Sequence, residues 1–144
     1  MLSRRQLSLS AAALALSACA KSGASANTNS KETVMSDNQW SNMSESEWRE
    51  RLTQMEFDVL RNEATERPGS SPLNQEKRDG TFVCAGCELP IFSSETKYES
   101  GTGWPSFYDV LPDAIGTKVD KKLFSTRTEY HCARCGGHQG HVFN

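Results

Sequence analysis

The chain has 144 residues, room for one domain with a modest core. A formal charge of −2 and a pI near 5.9 exclude the basic surface that nucleic-acid binding requires. Hydrophobic residues make up only 36% and charged residues 24%, so a metal staple would matter to stability.

Residues 1–19 read as an export signal. Arg4 and Arg5 supply a positive start, Leu7 to Leu16 an apolar stretch, and Ala18-Cys19 a small-residue cleavage zone. The apolar stretch is too short to cross a bilayer. Ser3-Arg4-Arg5-Gln6-Leu7 resembles a twin-arginine signal. Leu16-Ser17-Ala18-Cys19 resembles a lipobox, in which Cys19 is lipidated and becomes the new N-terminus. The expectation is a protein anchored by lipid on the periplasmic side of a bacterial cell envelope; the alternative is an ordinary cleaved signal with an incidental cysteine. Export in the folded state would let thiols acquire metal in a reducing cytoplasm. Residues 20–42, rich in Ser, Asn, Thr, Ala and Lys, are expected to form a flexible tether.

A folded domain is expected over 43–144. Ser44-Glu45-Ser46-Glu47 has the capping-box pattern, and Trp48 and Leu52 then fall one helical turn apart on a single face. A second box, Thr53-Gln54-Met55-Glu56, starts a helix bearing Phe57, Val59 and Leu60, and Arg67-Pro68-Gly69 marks its end. Beyond Ser70 the pattern changes to short extended pieces. Thr81-Phe82-Val83, Lys118-Val119-Asp120 and Arg127 to His131 read as strands, and Val142-Phe143 begins another. Asp79-Gly80, Leu111-Pro112-Asp113 and Ile115-Gly116 read as turns.

Cys84-Ala85-Gly86-Cys87 and Cys132-Ala133-Arg134-Cys135 are two Cys-x-x-Cys pairs. Each two-residue spacer lets one tight turn present two thiolates, and two turns complete the tetrahedral sphere that Zn2+ prefers. Gly86 and Gly136 suit such turns because they tolerate positive φ. His138 and His141 follow in a His-x-x-His spacing, which could itself be a metal pair were the ion not already satisfied by four cysteines. His131 reads as a strand residue. A third reading makes the pairs dithiol-disulfide exchange sites, which need exposed thiolates that zinc would block.

Six ordered blocks then carry a family resemblance: Leu60-Arg61, Thr65 to Pro68, Cys84 to Cys87, Ser100-Gly101-Thr102-Gly103-Trp104-Pro105-Ser106-Phe107, Arg127-Thr128-Glu129, and Cys135 to Phe143. From about Trp48 onward the chain resembles the methionine-R-sulfoxide reductase B family. The resemblance implies a mainly β fold, a small zinc-stapled antiparallel β barrel or tent of two sheets with short N-terminal helices. It implies structural Zn2+ on Cys84, Cys87, Cys132 and Cys135, far from the active site. It also implies reduction of the R epimer of methionine sulfoxide in oxidised proteins or peptides, with a thioredoxin-like reductant. Trp104 would offer the substrate methyl a flat apolar wall, Phe107 and Ser106 would help shape the pocket, and His138 and His141 would donate protons as the sulfoxide oxygen leaves. A monomer is expected.

Two departures stand out. The family's attacking cysteine lies in an Arg-Tyr-Cys-x-Asn segment downstream of the His-Val-Phe block, and this sequence stops at Asn144. The five cysteines are all assigned as lipid anchor or zinc ligands, so the expectation is a sequence incomplete at its C-terminus and inactive as it stands. Thr102 occupies a position where some members have a resolving cysteine. The alternative is a non-catalytic zinc-ribbon module that keeps the substrate groove.

Overall fold

The computed structural model describes residues 2–5, 37–122 and 125–143. Leu7 to Leu16, Cys19 and most of the expected tether lie outside the described residues. Among the described residues no helix is long and apolar enough to cross a membrane.

Three short helices precede most of the β structure: α1 (Asp37–Ser41), α2 (Glu45–Arg51) and α3 (Gln54–Asn62). Helix α1 begins inside the segment expected to be tether, and Trp40 corrects that boundary. Its side chain is buried and stacks on Trp48 with ring centroids 6.1 Å apart, so ordered chain starts before residue 43. Both capping boxes form. The Ser44 and Thr53 side chains accept the N–H groups of Glu47 and Glu56, whose carboxylates return to the cap residues. Acidic Glu45 and Glu47 in the first turn of α2, and basic Arg49 and Arg51 in its last, match the helix dipole.

Helix α3 ends sooner than Arg67-Pro68-Gly69 suggested. Glu63 takes a left-handed conformation (φ 57°), and the Ala64 N–H closes back on the Asp58 carbonyl at 3.0 Å. Glycine usually fills such a position; here the side chain is used, because the Glu63 carboxylate meets Lys118 at 2.7 Å and also pairs with Lys122.

Among the described residues eight strands follow the expectation of a mainly β, antiparallel chain: β1 (Leu2–Arg5), β2 (Thr81–Cys84), β3 (Pro90–Ser93), β4 (Lys97–Tyr98), β5 (Ser106–Phe107), β6 (Ile115–Asp120), β7 (Arg127–Cys132) and β8 (His138–Val142). They pair as β1-β2-β3, β4-β5 and β6-β7-β8, giving three sheets where two were expected; among the described residues no ladder closes them into a barrel. The bends through 99–105 and 108–114 interrupt the ladders. Leu2–Arg5, read from sequence as the start of a signal, pairs along β2 from Leu2↔Cys84 to Arg5↔Thr81.

Two strand boundaries also differ. Ile115-Gly116, expected as a turn, belongs to β6, and His131 on β7 lies over Gly116 where a Cβ would meet Nε2 at 2.5 Å. Strand β8 starts at His138, and Val142 ends it instead of beginning it. Glycines and histidines are weak strand formers, so pairing with β7 decides this segment.

The core joins Trp40, Trp48, Leu52, Phe57 and Leu60 of the helical side to Phe82, Ile91, Phe92 and the four cysteines. Phe107 stacks on Phe92 at 4.2 Å and meets Phe82 edge-on at 4.9 Å.

Candidate active site and metal centre

Strands β2 and β7 each end in a cysteine knuckle. Glu88 N–H bonds to the Cys84 carbonyl at 2.8 Å and Gly136 N–H to the Cys132 carbonyl at 2.9 Å, folding each Cys-x-x-Cys into a turn. Gly136 has the positive φ (67°) expected of it, but in the first knuckle that conformation falls at Glu88 (φ 60°). Gly86 is there for its size, since a Cβ would sit 3.3 Å from the Trp48 ring. Three arginines cap the knuckle carbonyls: Arg51 to Gly86, Arg61 to Cys135 and Arg134 to Cys87.

All four sulfurs are buried and lie within 4.8 Å of one another. The close pairs run between knuckles, Cys84 to Cys135 at 3.7 Å and Cys87 to Cys132 at 3.4 Å. Zn–S bonds of about 2.3 Å in a tetrahedron put sulfurs about 3.8 Å apart, whereas a disulfide needs about 2.05 Å. The donor set therefore fits a tetrahedral thiophilic ion. Hydrogen bonds shared with Cys132 and then Cys135 pull the Cys84 thiol down, and Cys132 is lowered chiefly by Cys135. Cys87 and Cys135 are pushed up, each chiefly by its bond to Cys132. Four thiolates at this distance need a cation to ionise together.

The histidines lie on β8, the strand that leaves the second knuckle. His138 and His141 are three residues apart, a spacing that would place them on opposite faces of a regular strand. A β-bulge corrects the parity. Tyr130 pairs with Gly140 but His131 pairs with His138, so Gln139 is an extra residue in β8. His141 is then opposite Glu129 and His138 opposite His131, all on one face, with the two imidazole centroids 5.3 Å apart.

That face carries a charged network. His141 Nε2 is 2.8 Å from Asp120 Oδ2, which also takes Arg127 at 2.6 Å, while the Lys122 N–H reaches Asp120 Oδ1 at 2.8 Å. These donors, with the Lys122 N–H foremost and His141 next, hold the Asp120 carboxyl well below the usual range. His138 Nδ1 is 3.1 Å from Glu129 Oε1 without the alignment of a hydrogen bond, and Lys118 meets Glu129 Oε2 at 3.1 Å. Burial lowers the His138 pKa, and Glu129 partly opposes that shift. Glu129 is only 1% exposed, so this is a carboxylate held inside the protein with Lys118 as its cationic partner.

Sequence reasoning singled out the histidines and missed Lys118, Asp120, Arg127 and Glu129 as site residues. The available signal was period two, since Lys118 and Asp120 share one face of β6, and Arg127 and Glu129 the facing positions of β7.

Trp104 lies in the segment between β4 and β5. Its half-buried indole donates from Nε1 to the Glu66 carbonyl at 2.8 Å, and the preceding Gly103 carbonyl accepts the Gly69 N–H at 2.7 Å and the Asn74 amide at 2.9 Å. Among the described residues no ring contact or hydrogen bond joins Trp104 to either histidine. Phe107 uses its ring faces on Phe82 and Phe92 in the core. Two surface depressions, around Leu73 and Lys77 and around Met43 and Arg51, include none of these groups in their walls.

Residues 52–144, which contain both knuckles, the Trp104 loop and the histidine face, match the family model described as the SelR domain. The chain is 52% identical over 101 residues to the peptide methionine sulfoxide reductase MsrB of Methanosarcina barkeri, covering 69% of this chain and 71% of that protein. It is 48% identical over 101 residues to the protein of that name from Leifsonia xyli, covering 69% and 73%. Against the one from Leptospira interrogans it is 46% identical over 107 residues, covering 72% and 79%. The family match runs through both cysteine knuckles and the paired histidines, and on it, with these relatives beside it, the chain belongs to the SelR domain family.

Proposed function

We propose that this protein reduces methionine-R-sulfoxide in proteins to methionine, as repair of oxidative damage in the cell envelope. The observation that carries the reading is the family match together with two imidazoles brought to one face, each beside a buried carboxylate. In this chemistry a thiolate attacks the sulfoxide sulfur while the oxygen takes up protons. The S–O bond breaks and the oxygen leaves as water, a water then adds to the cysteine sulfur as the new S–S bond breaks and a proton is released, and methionine leaves with the cysteine as a sulfenic acid. A second thiol then displaces water to form a disulfide, which a thioredoxin-like dithiol reduces.

His138 and His141 are the groups suited to hold and deliver a proton at the leaving oxygen. Trp104, fixed through its indole N–H, leaves a ring face for the substrate methyl, a contact worth about 0.3–1.5 kcal/mol. Cys84, Cys87, Cys132 and Cys135 would hold structural Zn2+, which supplies cross-linking of the two knuckles. Being mutually packed and buried, these four are poor candidates for the attacking thiol. That thiol is proposed to come from chain beyond these 144 residues, and Cys19 to carry the lipid anchor.

The test uses dithiothreitol and the separate sulfoxide epimers of a methionine peptide. The 144-residue chain should give no turnover. The same chain extended by its native downstream segment should reduce the R epimer alone, and His141→Ala in it should lower the rate by about 10²–10⁴. Turnover by the 144-residue chain, or equal use of both epimers by the extended one, would refute the assignment. Lipidation is checked separately: the protein should fractionate with membranes, and Cys19→Ala should release it.

A further inference from the structure

The metal centre and the histidine face meet at one residue. Gln139 is the additional residue of the β8 bulge, and if β8 paired regularly through it, with no bulge, His138 and His141 would point to opposite sides of the sheet. Its side-chain amide also leaves the sheet toward the cysteines: Nε2 lies 3.5 Å from Cys84 Sγ and 3.4 Å from the Gly137 carbonyl oxygen. Both neighbours are acceptors, so only the NH2 end of the amide suits that position, and its other end is left with a buried Oε1 that has no partner. An orphaned amide oxygen costs free energy, roughly 1–3 kcal/mol by the usual measure, so the orientation persists only if the donor end gains something comparable. A thiolate offers that, because a hydrogen bond to an ionised acceptor is about twice as strong as a neutral one.

The backbone on either side ties the same two features together. The Gly137 carbonyl accepts the Cys132 N–H at 2.9 Å, and a Cβ at Gly137 would lie 3.3 Å from Cys135 Sγ. Gly140, on the other side, lies under the Tyr130 hydroxyl, where a Cβ would come within 2.8 Å. The bulge is thus pinned between the cysteine cluster and Tyr130.

We propose that Gln139 is a positioning residue that couples the metal centre to the active-site face: its amide hydrogen-bonds the metal-bound Cys84 sulfur, and this contact holds the bulge that turns both histidines the same way. The inference rests on the reading of the four cysteines as a metal site. It makes the centre a determinant of histidine geometry as well as a cross-link.

The test compares wild type with Gln139→Met, which keeps the side-chain length and removes the donor, and with Gln54→Met, the same change on the exposed side of α3. Each is loaded with Co2+ to read the sulfur-to-cobalt charge-transfer band, and with Zn2+ to read the imidazole nitrogen resonances of His138 and His141 by NMR. A sulfur that loses a hydrogen bond is a better electron donor, so Gln139→Met should move the band to longer wavelength and displace both imidazole signals, and Gln54→Met should do neither. If Gln139→Met binds the metal with band and imidazole signals like those of wild type, the coupling is refuted while the metal site stands. If wild type takes up neither ion, both fall.

Discussion

At the scale of single residues, Gly103 and Glu129 are where local chemistry constrains the site most. Gly103 has φ 88°, and a Cβ there would lie 2.9 Å from both the Gly69 nitrogen and the Pro68 Cβ, backbone and ring atoms that cannot swing aside. Gly103→Ala should therefore destabilise the protein by about 2–4 kcal/mol, adding a clash to the left-handed penalty. Gly69→Ala, at φ 77° but with open space around it, should cost only about 1–2 kcal/mol in the same urea titration. Equal losses would mean that the contact to Pro68 does not hold the Trp104 loop. For Glu129 the readout is electrostatic. Its carboxylate favours the charged form of His138 against the burial that opposes it, so Glu129→Gln should lower the His138 pKa further. Titration by NMR decides it, and an unchanged or raised pKa would show that the 3.1 Å approach carries no interaction.

At the scale of elements, the two capping boxes were plain in the sequence because capping is a contact within four residues and needs nothing from the rest of the fold. Thr53→Ala removes the acceptor for the Glu56 N–H and should lower stability by about 1 kcal/mol in chemical denaturation. A loss near zero would mean that packing of Phe57 and Leu60 alone holds the start of α3. Strand β8 is the opposite case. Its five residues include two histidines and a glycine, and neither the start of the strand nor its bulge can be read from propensity. Register is a property of the β7–β8 pair, and a single inserted residue changes which face every later side chain takes.

At the scale of the whole molecule, Glu63 joins the helical layer to the third sheet. Lys118 first and Lys122 second hold its carboxyl down to about 2, against an ordinary value of 4.5. A depressed carboxylate contributes stability that is fully present above its unfolded pKa and is lost as pH falls through its folded one. The stability difference between wild type and Glu63→Gln should thus be largest above pH 4.5 and shrink toward pH 2. Denaturant titrations across that range test it, and a difference independent of pH would assign the effect to the αL backbone and not to the ion pairs. His138 acts in the same direction over a higher range. Its lowered pKa means that the unfolded chain binds the proton more readily below about pH 6.5, and acid weakens the fold there as well.

The sequence by itself determined the four cysteines that could hold a metal ion, the starts of α2 and α3, and the family. Each depends on residue types at short, fixed spacings, and those spacings survive in any fold that uses them. Two Cys-x-x-Cys turns could hold a tetrahedral ion only if they came together, and the structure brings their sulfurs within 4.8 Å. Tertiary structure alone decided that Trp40 belongs to the core, that Phe107 lies stacked on Phe92, and that His138 and His141 face one way with Glu129 and Asp120 beneath them. Those outcomes rest on strand register and on contacts between residues up to about twenty positions apart or more, set by which sheet faces bury one another.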